Sequence, residues 1–80
     1  MIKVYGKTVC GACETVKAYL KSNGLVEGEH FDYINIDESE KHTKYINDNY
    51  MSVPITEFGG KAVIGFEVDE LNQMIEDVKR

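Results

Sequence analysis

Apolar and polar residues alternate over Ile2-Lys3-Val4-Tyr5 before Gly6, the two-residue period of a half-buried strand. The period then changes. From Cys10 to about Ser22 the apolar residues Cys13, Val16, Tyr19 and Leu20 recur at three- and four-residue spacings, which predicts a helix. Asn23-Gly24 supplies its stop, because glycine adopts the left-handed conformation that closes helices without a steric penalty. Phe31 to Ile36 is rich in aromatic and β-branched side chains and predicts a second strand. Strand, helix and strand in so short a stretch imply a right-handed βαβ unit with parallel strands. Asp37-Glu38-Ser39-Glu40 has the acidic opening of another helix, expected to run to about Asn49 with Tyr45 and Ile46 turned inward. Pro54 opens a strand to Phe58, Gly59-Gly60 makes a hairpin turn, and Lys61 to Ile64 returns. After Gly65-Phe66 a last helix carries the stripe Val68, Leu71, Ile75 and Val78. The order βαβαββα predicts an α/β fold, a four-stranded mixed sheet flanked by helices, with Leu20 and Ile34 in its core.

Length and composition narrow the function. Eighty residues give room for one domain, 1–80, and one modest core. Nine basic against fourteen acidic side chains leave a net charge of −5, which argues against nucleic-acid and anionic-membrane partners, since both need a basic footprint. No apolar run approaches the ~20 residues of a membrane span, and no basic segment followed by a long apolar one opens the chain. Two cysteines cannot build a disulfide-rich secreted scaffold. A reducing cytoplasm is the expected setting, where a close pair is catalytic or metal-binding rather than structural.

Cys10-Gly11-Ala12-Cys13 falls where the first strand hands over to the first helix. Residues three apart share a helix face, so the two sulfurs can reach bonding distance. Cys10 lies at the helix start, where free N–H groups and the helix dipole favour a thiolate; such thiols titrate at roughly 3.5–7.5 instead of about 8.5. Lys7 adds a positive charge nearby. Cys13, one turn inside, is expected to be shielded and able to attack a mixed disulfide at Cys10. Plainer uses of the pair stand beside this one: two buried cysteines acting as small hydrophobes, or half of a zinc site completed by His30 and His42. Plainer roles exist elsewhere too. Pro54 could only begin a strand, Lys7 could be a solvated loop lysine, and Glu67, Asp69 and Glu70 are explained well enough as helix N-terminal charges.

Taken together, Val4-Tyr5-Gly6-Lys7-Thr8-Val9-Cys10-Gly11-Ala12-Cys13, Ser52-Val53-Pro54, Gly59-Gly60-Lys61 and Ile64-Gly65-Phe66 resemble the glutaredoxins over nearly the full chain. The resemblance implies a thioredoxin-like fold and a thiol–disulfide oxidoreductase that reduces protein disulfides and glutathione mixed disulfides. Cys10 would be the nucleophile and Cys13 the resolving thiol. Pro54 would be the family's cis-proline, with Val53 pairing its backbone with bound substrate. Lys7, Ala12, Gly65, Phe66 and Glu67 would line the glutathione site, the turn at Gly65 receiving the γ-glutamyl end. Glutathione would serve as co-substrate of a monomer, with no metal and no tightly held cofactor.

Two departures open alternatives. Gly11-Ala12 replaces the common Pro-Tyr, so an aromatic wall of the glutathione groove is missing. Gly65-Phe66 with Asp69 stands where many members have Gly-Gly, a pattern similar to redoxins that take electrons from thioredoxin reductase and pass them to ribonucleotide reductase. Lys3-Val4-Tyr5-Gly6 and Tyr33-Ile34-Asn35-Ile36 are also similar to small redoxins of large bacteriophages. A non-redox binding module and metal binding by the cysteine pair remain as further alternatives; some glutaredoxins with small residues between their cysteines bridge an iron–sulfur cluster in a dimer.

Overall fold

The four strands form one sheet in the order β2-β1-β3-β4, with β1 (Ile2–Gly6), β2 (Phe31–Asn35), β3 (Ile55–Phe58) and β4 (Lys61–Ile64). The computed structural model describes all 80 residues, Met1 to Arg80. β1 runs parallel to β2, with Ile2 opposite Phe31 and Gly6 opposite Asn35, and antiparallel to β3, with Val4 opposite Thr56. β3 and β4 form the expected hairpin. Gly59 and Gly60 have φ of 58° and 81°, the left-handed pair that a tight hairpin turn requires and that side-chain-bearing residues resist. The helices are α1 (Gly11–Ser22), α2 (Glu40–Asn49) and α3 (Val68–Lys79), so the order βαβαββα and the mixed sheet are as expected. None of them is long and apolar enough to cross a membrane.

Ile2, Val4, Phe31 and Val63 bury one face of the sheet against Val16 and Leu20 of α1 and Leu71, Met74 and Ile75 of α3. The opposite face buries Tyr5 and Ile55 against Ile36 and Ile46, the latter from α2. Leu20 is fully buried as expected, but Ile34 is only half-buried and packs at the margin of the smaller cluster.

Three local expectations need correction. The segment after β2 is not one helix: Ile36–Glu38 forms a single 3₁₀ turn, and Ser39, extended at φ −151°, restarts the chain as the cap of α2 by accepting the His42 N–H at 3.4 Å. A serine oxygen competes with the helical backbone for those N–H groups, which divides the segment in two. Tyr45 does not share the inward position with Ile46, since consecutive helix residues point about 100° apart; it is 39 % exposed while Ile46 is buried. In α3 the buried stripe is Leu71, Met74 and Ile75, with Val78 half-buried, whereas Val68 in the first turn is exposed.

Candidate active site

Cys10 is the N-cap of α1. Its backbone is extended at φ −154°, its carbonyl accepts the Glu14 N–H at 3.2 Å, and its Sγ accepts the Cys13 N–H at 3.2 Å. Sulfur thus takes the place that a serine or aspartate oxygen occupies at most helix starts. A thiolate at Cys10 would take that N–H together with the positive end of the helix dipole. Cys10 is half-buried and Cys13 has no exposed surface. The two are joined as a disulfide with Cα atoms 5.3 Å apart. One sulfur at the rim and one beneath it is the asymmetry expected from their placement in the chain.

The turn carrying Cys10 is fastened to the end of β2 by residues that sequence inspection did not single out. The Thr8 N–H donates to Asp37 Oδ2 at 3.0 Å, Asn35 Nδ2 donates to Thr8 Oγ1 at 3.1 Å, and the Asp37 N–H donates to Asn35 Oδ1 at 3.0 Å. These bonds join segments that meet only because β1 and β2 lie parallel in register. Lys7, in the same turn, is exposed and makes no hydrogen bond or ion pair.

The Val53–Pro54 peptide is cis, with Pro54 buried and Val53 packed against the smaller core cluster. The Pro54 carbonyl accepts the Gly65 N–H at 2.9 Å, which ties the loop before β3 to the turn before α3. The N–H of Gly65 is therefore already engaged. Phe66 is exposed and sets its ring edge-on to Tyr19 of α1 at 5.4 Å, so this turn also touches the helix that bears the cysteines. Glu67 begins α3 without a side-chain capping bond, and Asp69 and Glu70 follow in its first turn. Ala12 is exposed near the start of α1. Next to these segments in the chain are two exposed apolar residues, Val9 before Cys10 at 92 % and Met51 before Ser52-Val53-Pro54 at 82 %.

His30 accepts the Val26 N–H at its Nδ1, 2.8 Å away, and the His42 ring lies 6.0 Å from that of Tyr5. No three His, Cys, Asp or Glu side chains converge as a ligand set, so a zinc site built from the two cysteines with His30 and His42 finds no geometry here.

Comparison with known proteins bears on this site. The glutaredoxin family model matches residues 2–63. A glutaredoxin-like 8.6 kDa protein from the rubredoxin operon of Clostridium pasteurianum is 28 % identical over 80 residues, spanning 95 % of this chain and 99 % of that one. Among solved structures, the glutaredoxin of Archaeoglobus fulgidus superposes with a TM-score of 0.74 at 28 % identity, over 92 % of this chain and 84 % of that one. The glutaredoxin-like NrdH-redoxin of Escherichia coli gives 0.79 at 22 % identity, over 91 % and 92 %, a likeness of fold.

Proposed function

The chain belongs to the glutaredoxin family, and on that premise we propose that it is a dithiol thiol–disulfide oxidoreductase acting on protein disulfides and glutathione mixed disulfides. The observation that carries this reading is the asymmetry of the pair, a capping, half-buried Cys10 above a fully buried Cys13. In the reducing direction the Cys10 thiolate attacks a substrate disulfide, and one substrate sulfur leaves as a thiolate. Cys13 then attacks Cys10 Sγ, the mixed disulfide breaks, and the second substrate sulfur leaves, so two electrons have passed from the pair to the substrate. Val53, beside buried Pro54, offers its backbone to an extended substrate segment.

Glutathione recycles the pair in this reading. Its γ-glutamyl carboxylate would meet the N–H groups of Phe66 and Glu67 at the start of α3, and its ammonium the carboxylates of Glu67 or Asp69. Two observations favour a second reading, with thioredoxin reductase as reductant and ribonucleotide reductase as the recipient of electrons. Ala12 provides no aromatic wall, and the exposed Val9 and Met51 suit a protein surface better than a tripeptide. NADPH-coupled reduction of a small disulfide, with glutathione plus glutathione reductase in one arm and thioredoxin reductase in the other, separates them. Turnover with glutathione that vanishes in Cys10→Ser and partly survives in Cys13→Ser supports the first. Turnover only with thioredoxin reductase, needing both cysteines, supports the second. Silence in both arms refutes the oxidoreductase reading.

A further inference from the structure

Two buried side-chain oxygens have no hydrogen-bond partner, the hydroxyls of Tyr33 and Thr56. Both residues lie opposite Val4, one on each side of β1, so they belong to one row across the sheet. Their surroundings differ at the end of β1. A Cβ placed on Gly6 would lie 2.7 Å from Tyr33 Cζ, closer still to its hydroxyl, and 3.0 Å from the Cβ of Cys13. Gly6 is glycine because the phenol fills the space a side chain would need, and the hydroxyl and the resolving cysteine meet at that same point. Phenylalanine would fill the space equally well without burying an unpaired donor, which costs the hydroxyl its full desolvation. A disulfide sulfur is a poor acceptor. A thiolate is a strong one.

We propose that the Tyr33 hydroxyl donates a hydrogen bond to the Cys13 sulfur when the pair is opened, stabilising the buried thiolate that resolves the mixed disulfide. The inference rests on the oxidoreductase reading above and deepens it. In the resolving step Cys13 gives its proton to water, and its sulfur attacks Cys10 Sγ. The bond from Cys10 to the substrate sulfur breaks, and its electron pair leaves on that sulfur, which takes up a proton. Tyr33 keeps its own proton throughout. Lys17 Nζ sits 4.8 Å from the centre of the Tyr33 ring, over its face, and helps hold the ring in place. Burial first, and the Glu14 carboxylate second, raise the Tyr33 pKa, so the phenol keeps its proton at neutral pH and can donate it in a hydrogen bond. The ionisable groups nearest Cys13 in the chain are Cys10 at the cap of α1 and Glu14 and Lys17 on it, with Lys7 after β1, and Tyr33 reaches it from β2; the α3 residues buried against α1, Leu71, Met74 and Ile75, are apolar, and Asn72, which accepts from the Tyr19 hydroxyl, is neutral.

Two measurements test this. In a Cys10→Ser protein, ultraviolet thiolate absorbance followed against pH gives the Cys13 titration directly and needs no turnover. Adding Tyr33→Phe should raise that pKa by about one unit, a roughly tenfold smaller thiolate fraction at neutral pH. Thr56→Val, which removes the other orphan hydroxyl, should leave it in place. With both cysteines present, Tyr33→Phe should slow resolution of a preformed mixed disulfide about threefold at neutral pH. That figure is the lost thiolate partly offset by its greater nucleophilicity, at a Brønsted slope of ~0.4–0.5. Above the thiol pKa the difference should vanish or reverse. An unmoved titration, an equal shift in Thr56→Val, or a rate loss uniform across pH would overturn the proposal. A wild-type protein that forms no mixed disulfide would sink the oxidoreductase reading instead, while the titration would still decide the role of Tyr33.

Discussion

Between the sheet and helices α1 and α3, ten buried apolar residues close one side of the molecule, whereas under α2 only Tyr5, Ile36, Ile46 and Ile55 are buried. The thinner side completes itself with polar contacts. Tyr45 and Tyr50 both donate to Glu57 Oε2 at 2.6 Å, and the Tyr45 ring packs on those of Tyr5 and Tyr50 at 5.6 and 6.3 Å. Each half of the active site rests on a different side. Cys13 is sealed in by α1, Gly6 and Tyr33, while Val53 and the loop that ends in Pro54 lean on the four-residue cluster. The chemistry of the dithiol is therefore held by the side with the larger core, and the segment that would pair with substrate is held by the side with the smaller one.

Substitutions of decreasing severity can break or sharpen this contrast, each read as a urea midpoint. Phe31→Ala, in the large cluster, should cost ~3–5 kcal/mol. Ile46→Ala, with few buried partners, should fall at the lower end of its class, ~2 kcal/mol; equal losses for the two would mean that the sides are equally consolidated. Glu57→Gln keeps an acceptor for both phenols and loses only the charge, so ~1 kcal/mol is expected. It also has a pH signature. The hydrogen bond to Glu57 is the main cause that raises the Tyr45 pKa, with burial and the carboxylate's charge adding to it. A raised folded-state value means that this contribution is complete below about pH 10, where the unfolded phenol titrates, and is lost as pH climbs through the folded value. Alkaline spectrophotometric titration should show the Tyr45 transition move down in Glu57→Gln. Least of all, Lys44→Ala, which removes an exposed pair with Asp48 one turn away, should shift stability by no more than ~0.5 kcal/mol.

The elements were legible in the sequence because each is written in a local period, and the cysteine pair was legible because its spacing and its place before a helix are local as well. What escaped was set by contacts between distant segments. Nothing in the pattern distinguished Tyr45 from Ile46, which depends on where α2 lies over the sheet. The bonds from Thr8 to Asp37 and from Asn35 to Thr8 span 29 and 27 residues and exist only in the β1–β2 register. The same register brings Tyr33 over Gly6 to Cys13, so the phenol read as one more strand aromatic. Met51, left-handed at φ 63°, closes α2 by donating its N–H to the Ile46 carbonyl at 2.7 Å, a place where glycine would have been the readable signal.

The central claim is the unequal character of the two thiols. It is tested most directly by brief alkylation of the reduced wild-type protein near neutral pH, with tandem mass spectrometry to locate the label. A capping, accessible thiolate above a buried thiol predicts that Cys10 is labelled at least about tenfold faster than Cys13. Equal labelling, or labelling of Cys13 first, would contradict the assignment of nucleophile and resolving thiol on which the account stands.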